Sequence, residues 1–435
     1  MQILTTRGGL ISSEKNKITL ATLNPAVRII AEKIPKFYSF SMGVFINNGS
    51  RDESLKDGGI THLIEHMLFK GTSRKSALEI VKMMESLGGA FDAYTTKENL
   101  IIITKFLSEH ITLVFELIAE ILLESKIDSR DLNKEKSVVL EEIKSSNDDP
   151  GDSAFELFFR TLMPDHSLGR PIAGTMESVK QIEAMHAKRH YRKLMNREIV
   201  IALSGNYDYD KIVNLAKQRF AMEKVDKIER TMPSYRLGKI EVQPRKEFSQ
   251  VHFVFGTKGV EYAAPQHYQL SIMNTALGGG MSSRLFQGLR EKDGLVYHVQ
   301  SFIDFYCDCG VSGFYFICDK KNIPKVVRRL KTIFKDINER GFSKEEIDLA
   351  KTYLSGNLLL SLESSTSRML RLAREAVYSR EIATVDDVVA RINSVNEKEI
   401  NTIIKDYFDP QRYTVAAVGP ITEKDISSIL DDLNT

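Results

Sequence analysis

Polar and apolar positions repeat with a helical period along residues 131–143, where Leu132, Val139 and Ile143 fall on one side and Asp128 or Ser129 can cap the start. Residues 90–96 follow the other rhythm. Phe91, Ala93 and Thr95 alternate with Asp92 and Tyr94, the period of a strand. The same alternation over residues 297–300 sends Tyr297 and His298 to opposite faces, and His298 receives no role. Gly278, Gly279 and Gly280 predict a turn before a helix containing Arg284 and Phe286. No Gly-Lys-Ser or Gly-Lys-Thr follows, which argues against a phosphate loop.

The pattern occurs twice. Residues 191–205 parallel 405–419, each ending in a strand and a glycine; residues 126–133 match 341–348, and 40–47 match 250–257, at offsets of about 210 to 215. A period that long is a duplicated domain, far beyond the 20 to 50 residues of a solenoid unit. Each copy reads as strands, then helices, then a strand and helix. The expected fold class is therefore α+β, with two tandem homologous α/β-sandwich domains. The expected boundaries are residues 1–223 and 248–435, joined by the charged, proline-containing linker 224–247.

Composition narrows the function. Across 435 residues the formal charge is only +2, which disfavours nucleic acid as a partner despite the basic patch from Lys188 to Lys193. No apolar run approaches the ~18 residues of a membrane span. The first nine residues lack the charged start and apolar core of a secretory signal, so a cytoplasmic location is expected. Cys307, Cys309 and Cys318 form an odd set without zinc-site pairing and read as reduced core thiols.

The chemistry concentrates at His62-Leu-Ile-Glu65-His66. At 3.6 residues per turn, positions 62, 65 and 66 share a face, so both imidazoles can reach one metal with Glu65 beside it. This HxxEH order inverts HExxH, although an amphipathic helix with surface histidines has the same spacing. Catalytic zinc usually takes three protein ligands. Glu135 and Glu142, seven residues apart on the helix predicted over 131–143, can supply the third; one binds metal while the other steadies a ligand. Shifting the motif by the repeat offset lands His62 within 272–277 and His66 within 276–281, where no His or Glu occurs. The asymmetry favours chemistry over structure. His186 and His190 also stand four apart, but the cations around them disfavour a metal site.

These motifs resemble the pitrilysin-type metallopeptidases, the inverzincins, and within them the short branch similar to mitochondrial processing peptidase. The resemblance runs over almost the whole chain: residues 58–61 before the motif, 67–72 after it, 88–95, 135–142 and 289–297. It implies one Zn2+ per chain held by His62, His66 and Glu142, with Glu65 as general base and Glu135 as a supporting acid. It further implies that Arg290 and Tyr297 approach the substrate carbonyl. Ala90, Phe91, Asp92, Ala93, Tyr94 and Thr95 would recruit an extended peptide by edge pairing. Relatives usually carry Asn where this chain has Asp92.

The implied activity is zinc-dependent endopeptidase cleavage of unfolded or short polypeptides. The alternatives are a non-catalytic assembly subunit of a processing-peptidase-like complex, which would have lost motif residues that this chain keeps, and a peptidase dedicated to one precursor. Short-branch members resemble half of a two-bowl chamber. A homodimer is the economical completion, since this chain carries every motif, and a heterodimer is the other.

Overall fold

The computed structural model describes residues 2–4, 18–222, 224–379, 381–422 and 424–426. Most of the amino-terminal stretch read for a secretory signal lies outside them. The strands are β1 Gln2–Leu4, β2 Ile18–Asn24, β3 Val27–Lys33, β4 Ser39–Ile46, β5 Ala90–Thr95, β6 Leu100–Leu107 and β7 Ile199–Gly205 in the first half. In the second half they are β8 Ile240–Pro244, β9 Val251–Lys258, β10 His298–Phe305, β11 Gly310–Cys318 and β12 Thr414–Gly419. One sheet runs β1-β2-β3-β7-β4-β6-β5 and the other β10-β11-β9-β12-β8.

The duplication is visible in the pairing. β7 lies parallel to β3 and antiparallel to β4, just as β12 lies parallel to β8 and antiparallel to β9. Reading outward, β3-β7-β4-β6-β5 has the same order as β8-β12-β9-β11-β10. The expected pair of α/β sandwiches is present.

The compact units are interlaced along the chain. The first comprises residues 1–143, 171–231 and 360–384; the second comprises 144–170, 232–359 and 385–435. The expected limits, 1–223 and 248–435, follow composition; the packing follows two helices. The helix Ser365–Tyr378 buries Met369, Leu372, Ala373 and Ala376 on a face of the first sheet that carries Phe45, Val200 and Ala202. The helix Pro150–Leu162 likewise buries Ala154, Leu157, Phe158 and Leu162 with Val254, Ala416 and Val418 of the second sheet. Burying a large apolar side chain contributes about 1.5–3 kcal/mol, so these stripes decide which sheet each helix joins. Nor is 224–247 only a connector. Arg230 clamps Asp52 at 2.8 Å, and β8 pairs along the whole of its length with β12.

On the opposite face of the first sheet lie three helices that matter to the site: α1 Ile60–Leu68, α2 Ile111–Glu124 and α3 Ser129–Asp148. α1 turns Ile60, Leu63, Ile64, Met67 and Leu68 into the core, and the helical period then leaves His62, Glu65 and His66 on its other side. α3 extends past the expected end at residue 143. Its start is held by Asp128, whose Oδ1 accepts from the Arg130 amide at 2.8 Å, while Leu132, Val139 and Ile143 are buried as the pattern requires.

Candidate metal centre

α1 and α3 bring two imidazoles and a carboxylate to one point. Glu142 Oε2 stands 3.8 Å from His62 Nε2 and 3.6 Å from His66 Nε2, and the three ligand atoms lie within 4.8 Å of one another. An ion bound tetrahedrally at zinc's usual bond lengths separates its ligands by roughly 3.4 Å, so this donor set fits zinc with small side-chain adjustments. The rings meet edge to face, with centroids 4.8 Å apart. Burial, reinforced by the neighbouring His66, pushes the His62 pKa down to about 4, which keeps its lone pair available at neutral pH.

Glu135 sits behind His66. Its Oε2 lies 3.2 Å from His66 Nδ1, and its Oε1 accepts from Lys70 Nζ at 2.8 Å. A carboxylate on the far nitrogen fixes the imidazole's tautomer and orientation and directs Nε2 towards the metal position. Spacing alone left Glu135 and Glu142 interchangeable, and the family resemblance implied Glu142 as the ligand; here Glu142 faces both Nε2 atoms and Glu135 faces one Nδ1. Lys70 escaped the sequence reading, although its position four residues after His66 was the available signal.

Glu65 projects beside the two histidines. Burial raises its pKa to about 7, against the opposing hydrogen bond from Thr95, whose Oγ1 donates to Glu65 Oε2 at 2.7 Å. Thr95 is the last residue of β5, which among the described residues pairs only with β6 and forms an edge of its sheet. Asp92 is exposed on that edge, with Oδ1 accepting from the Ala93 amide at 2.9 Å.

Arg290 and Tyr297 belong to the second unit. Both are exposed: the Arg290 guanidinium covers the Phe286 ring at 4.9 Å, and the Tyr297 amide donates to Ile317 O just before β10 begins. The expected helix around Phe286 is a π-helix over Phe286–Glu291. His298 Nε2 lies 3.2 Å from Gln300 Oε1, and no metal group forms around it among the described residues. His186 and His190 also stand apart from the metal position, His186 Nε2 lying 3.0 Å from Asp57 and His190 Nε2 3.1 Å from Thr61 Oγ1.

Residues 28–176 match the family model for insulinase (peptidase family M16), and residues 186–354 match that for the peptidase M16 inactive domain. An uncharacterized zinc protease of Streptomyces coelicolor is 33% identical over 420 residues, covering 94% of this chain and 91% of the relative. The chain belongs to peptidase family M16. The uncharacterized zinc protease YmxG of Bacillus subtilis is also 33% identical, over 92% of this M16 chain and 97% of its own length. Among solved structures, a peptidase M16 inactive domain from Pseudomonas fluorescens superposes with a TM-score of 0.85 at 19% identity, covering 93% of this chain and 98% of that one. A protease from Helicobacter pylori gives 0.84 at 19% identity, covering 93% and 100%. These two likenesses concern the fold. The first matched segment contains His62, Glu65, His66, Glu135 and Glu142; the second contains Arg290 and Tyr297.

Proposed function

We propose that this M16 chain is a zinc-dependent endopeptidase that cleaves unfolded or short polypeptides. One observation carries the reading: His62 Nε2, His66 Nε2 and Glu142 Oε2 converge within 4.8 Å beside the carboxyl of Glu65. His62, His66 and Glu142 hold the ion, one per chain, and Glu135 orients His66. When bound, zinc supplies Lewis-acid polarisation of water and of the substrate carbonyl. Glu65 accepts a proton from the attacking water at its carboxylate and returns it to the leaving amine.

The edge strand β5 supplies the substrate's track. Its outward backbone groups pair with an extended peptide whatever the side chains, so the chain selects for unfolded segments over folded ones. Thr95 links the end of that track to Glu65. Arg290 and Tyr297 supply donors to the carbonyl oxygen as it becomes negative. The relatives named zinc proteases support the reading, as does the retention of every donor, which an assembly subunit would not require.

Metal analysis with peptide-digest mass spectrometry tests it. Purified protein is expected to carry one zinc per chain, to lose cleavage on chelation and to recover it when zinc is restored. Undiminished hydrolysis by verified metal-free protein overturns the mechanism.

A further inference from the structure

The two zinc-site histidines are held differently. His66 Nδ1 has Glu135 behind it, whereas His62 Nδ1 is buried with no hydrogen-bond partner among the described residues. A metal-binding imidazole usually has its far nitrogen engaged, and that contact fixes its direction. For His62 the direction must come from the backbone that carries it.

That backbone is restrained at almost every residue before His62. Glu53, itself buried, accepts from the Gly59 amide through Oε2 and from the Thr61 amide through Oε1, both at 2.8 Å. These are orphan donors at the start of α1, so one carboxylate both satisfies them and sets where the first turn begins. The carbonyl of Gly58 accepts from Ser178 Oγ at 2.7 Å. Gly59 has φ +87°, and a Cβ there would meet Ala173 O at 2.2 Å, so only glycine fits. His186 and His190, one turn apart on the helix Ala184–Leu194, face the same stretch: His186 Nε2 lies 3.0 Å from Asp57, and His190 Nε2 3.1 Å from the Thr61 hydroxyl. The second histidine pair therefore has a use that its spacing alone did not disclose.

We propose that Glu53 and the Thr61–His190 pair form a clamp that positions His62 for metal binding, doing through the helix start what Glu135 does for His66 through the ring. Thr61 immediately precedes His62. A rotation of the first turn of α1 swings His62 Nε2 away from Glu142 while His66, one turn further on and anchored by Glu135, stays in place. Glu53 and His190 are positioning residues; neither touches the metal position. The proposal rests on the zinc reading of His62, His66 and Glu142.

Two variants test it in the full-length protein: Glu53→Gln, which presents an amide NH2 to backbone N–H groups, and Thr61→Val, which keeps the side chain's shape and removes the hydroxyl. Zinc affinity is measured by competition with a chromophoric chelator, the visible spectrum of the cobalt(II)-substituted protein reports ligand geometry, and circular dichroism reports folding. Each variant is expected to fold, to bind zinc about tenfold or more weakly, at the lower end of what losing an outer contact costs, and to shift the cobalt bands. Parent-like zinc affinity and cobalt bands in both variants overturn the clamp, even if their melting temperatures fall, because that pattern marks a role in stability alone. Failure of Glu53→Gln to fold leaves Thr61→Val to decide. If the parent protein binds no zinc, and His62→Ala changes nothing, the zinc reading itself has failed and the clamp fails with it.

Discussion

Thr95 Oγ1 donates to Glu65 Oε2 at 2.7 Å, so the last residue of the edge strand touches the carboxylate of the HxxEH motif. Strand and helix are far apart in kind but adjacent in space. A peptide paired along β5 would thus end beside Glu65, the carboxylate proposed to move its protons. Glu65→Gln is expected to keep its zinc and to lose roughly 10²- to 10⁴-fold in kcat, the share attributed to general acid–base catalysis. Thr95→Val removes only the orienting hydrogen bond, and a loss of roughly 10- to 150-fold is expected, since a hydrogen bond to a charged group is worth about 1.5–3 kcal/mol. Metal content and kcat measured on the same samples check both; an emptied site in Glu65→Gln would reverse the assigned roles.

Glu142 and Glu135 offer a sharper contrast, because they share a helix and a chemistry. Glu142→Gln is expected to weaken zinc binding more than Glu135→Gln, for which a 10- to 100-fold loss is expected as for other supports of a ligand. Chelator competition ranks the two. Equal or inverted losses would exchange their places.

His267 provides a test away from the candidate metal centre. Burial pushes its pKa down to about 4, and its ring stacks on Phe305 with centroids 4.1 Å apart. The folded state therefore resists a proton that the unfolded chain accepts near pH 6.5. The sign follows: no penalty above that pH, and a loss of stability growing as pH falls towards 4, where it reaches about 3 kcal/mol. His267→Phe keeps the stack and cannot titrate. Its urea midpoint should fall less than the parent's between pH 7.5 and pH 4.5; parallel falls would show that this histidine is not the source.

Met369 is fully buried on the first sheet, and a Cβ at Gly43 would lie 2.5 Å from its Sδ. Met369→Ala is expected to cost about 2–5 kcal/mol through the cavity left behind, and Gly43→Ala about 1–3 kcal/mol through overpacking. Denaturant unfolding checks each. In the double variant the smaller side chain makes room for the added methyl, so the two costs should be less than additive.

The candidate metal centre was legible because its parts lie on two helices with strong periodicity: His62, Glu65 and His66 are spaced by one turn, and Glu135 and Glu142 by two. Period also revealed the duplication and the edge strand. What it could not reveal is which surface a buried stripe meets. Met369, Leu372 and Ala376 announce an apolar face, but nothing in their spacing assigns them to the first sheet rather than the second. The same limit hid Arg230's partner Asp52 and the contact of His190 with Thr61, each joining residues more than a hundred positions apart. Charge and proline content made 224–247 read as a linker, while β8 owes its place to parallel pairing with β12, which leaves no short-range signal.

The exchanged helices also set an order of events at the ribosome. β3, β4 and β7 are all synthesised by residue 205, yet the sheet face bearing Phe45, Val200 and Ala202 stays bare until the helix Ser365–Tyr378 emerges. The helix Pro150–Leu162 waits in turn for β9 and β12, and β12 is among the last strands made. Neither half of the coding sequence specifies a complete body. A nascent chain must carry apolar surface through most of its translation, and a truncation after the first repeat would leave that surface permanently open to chaperones and proteases.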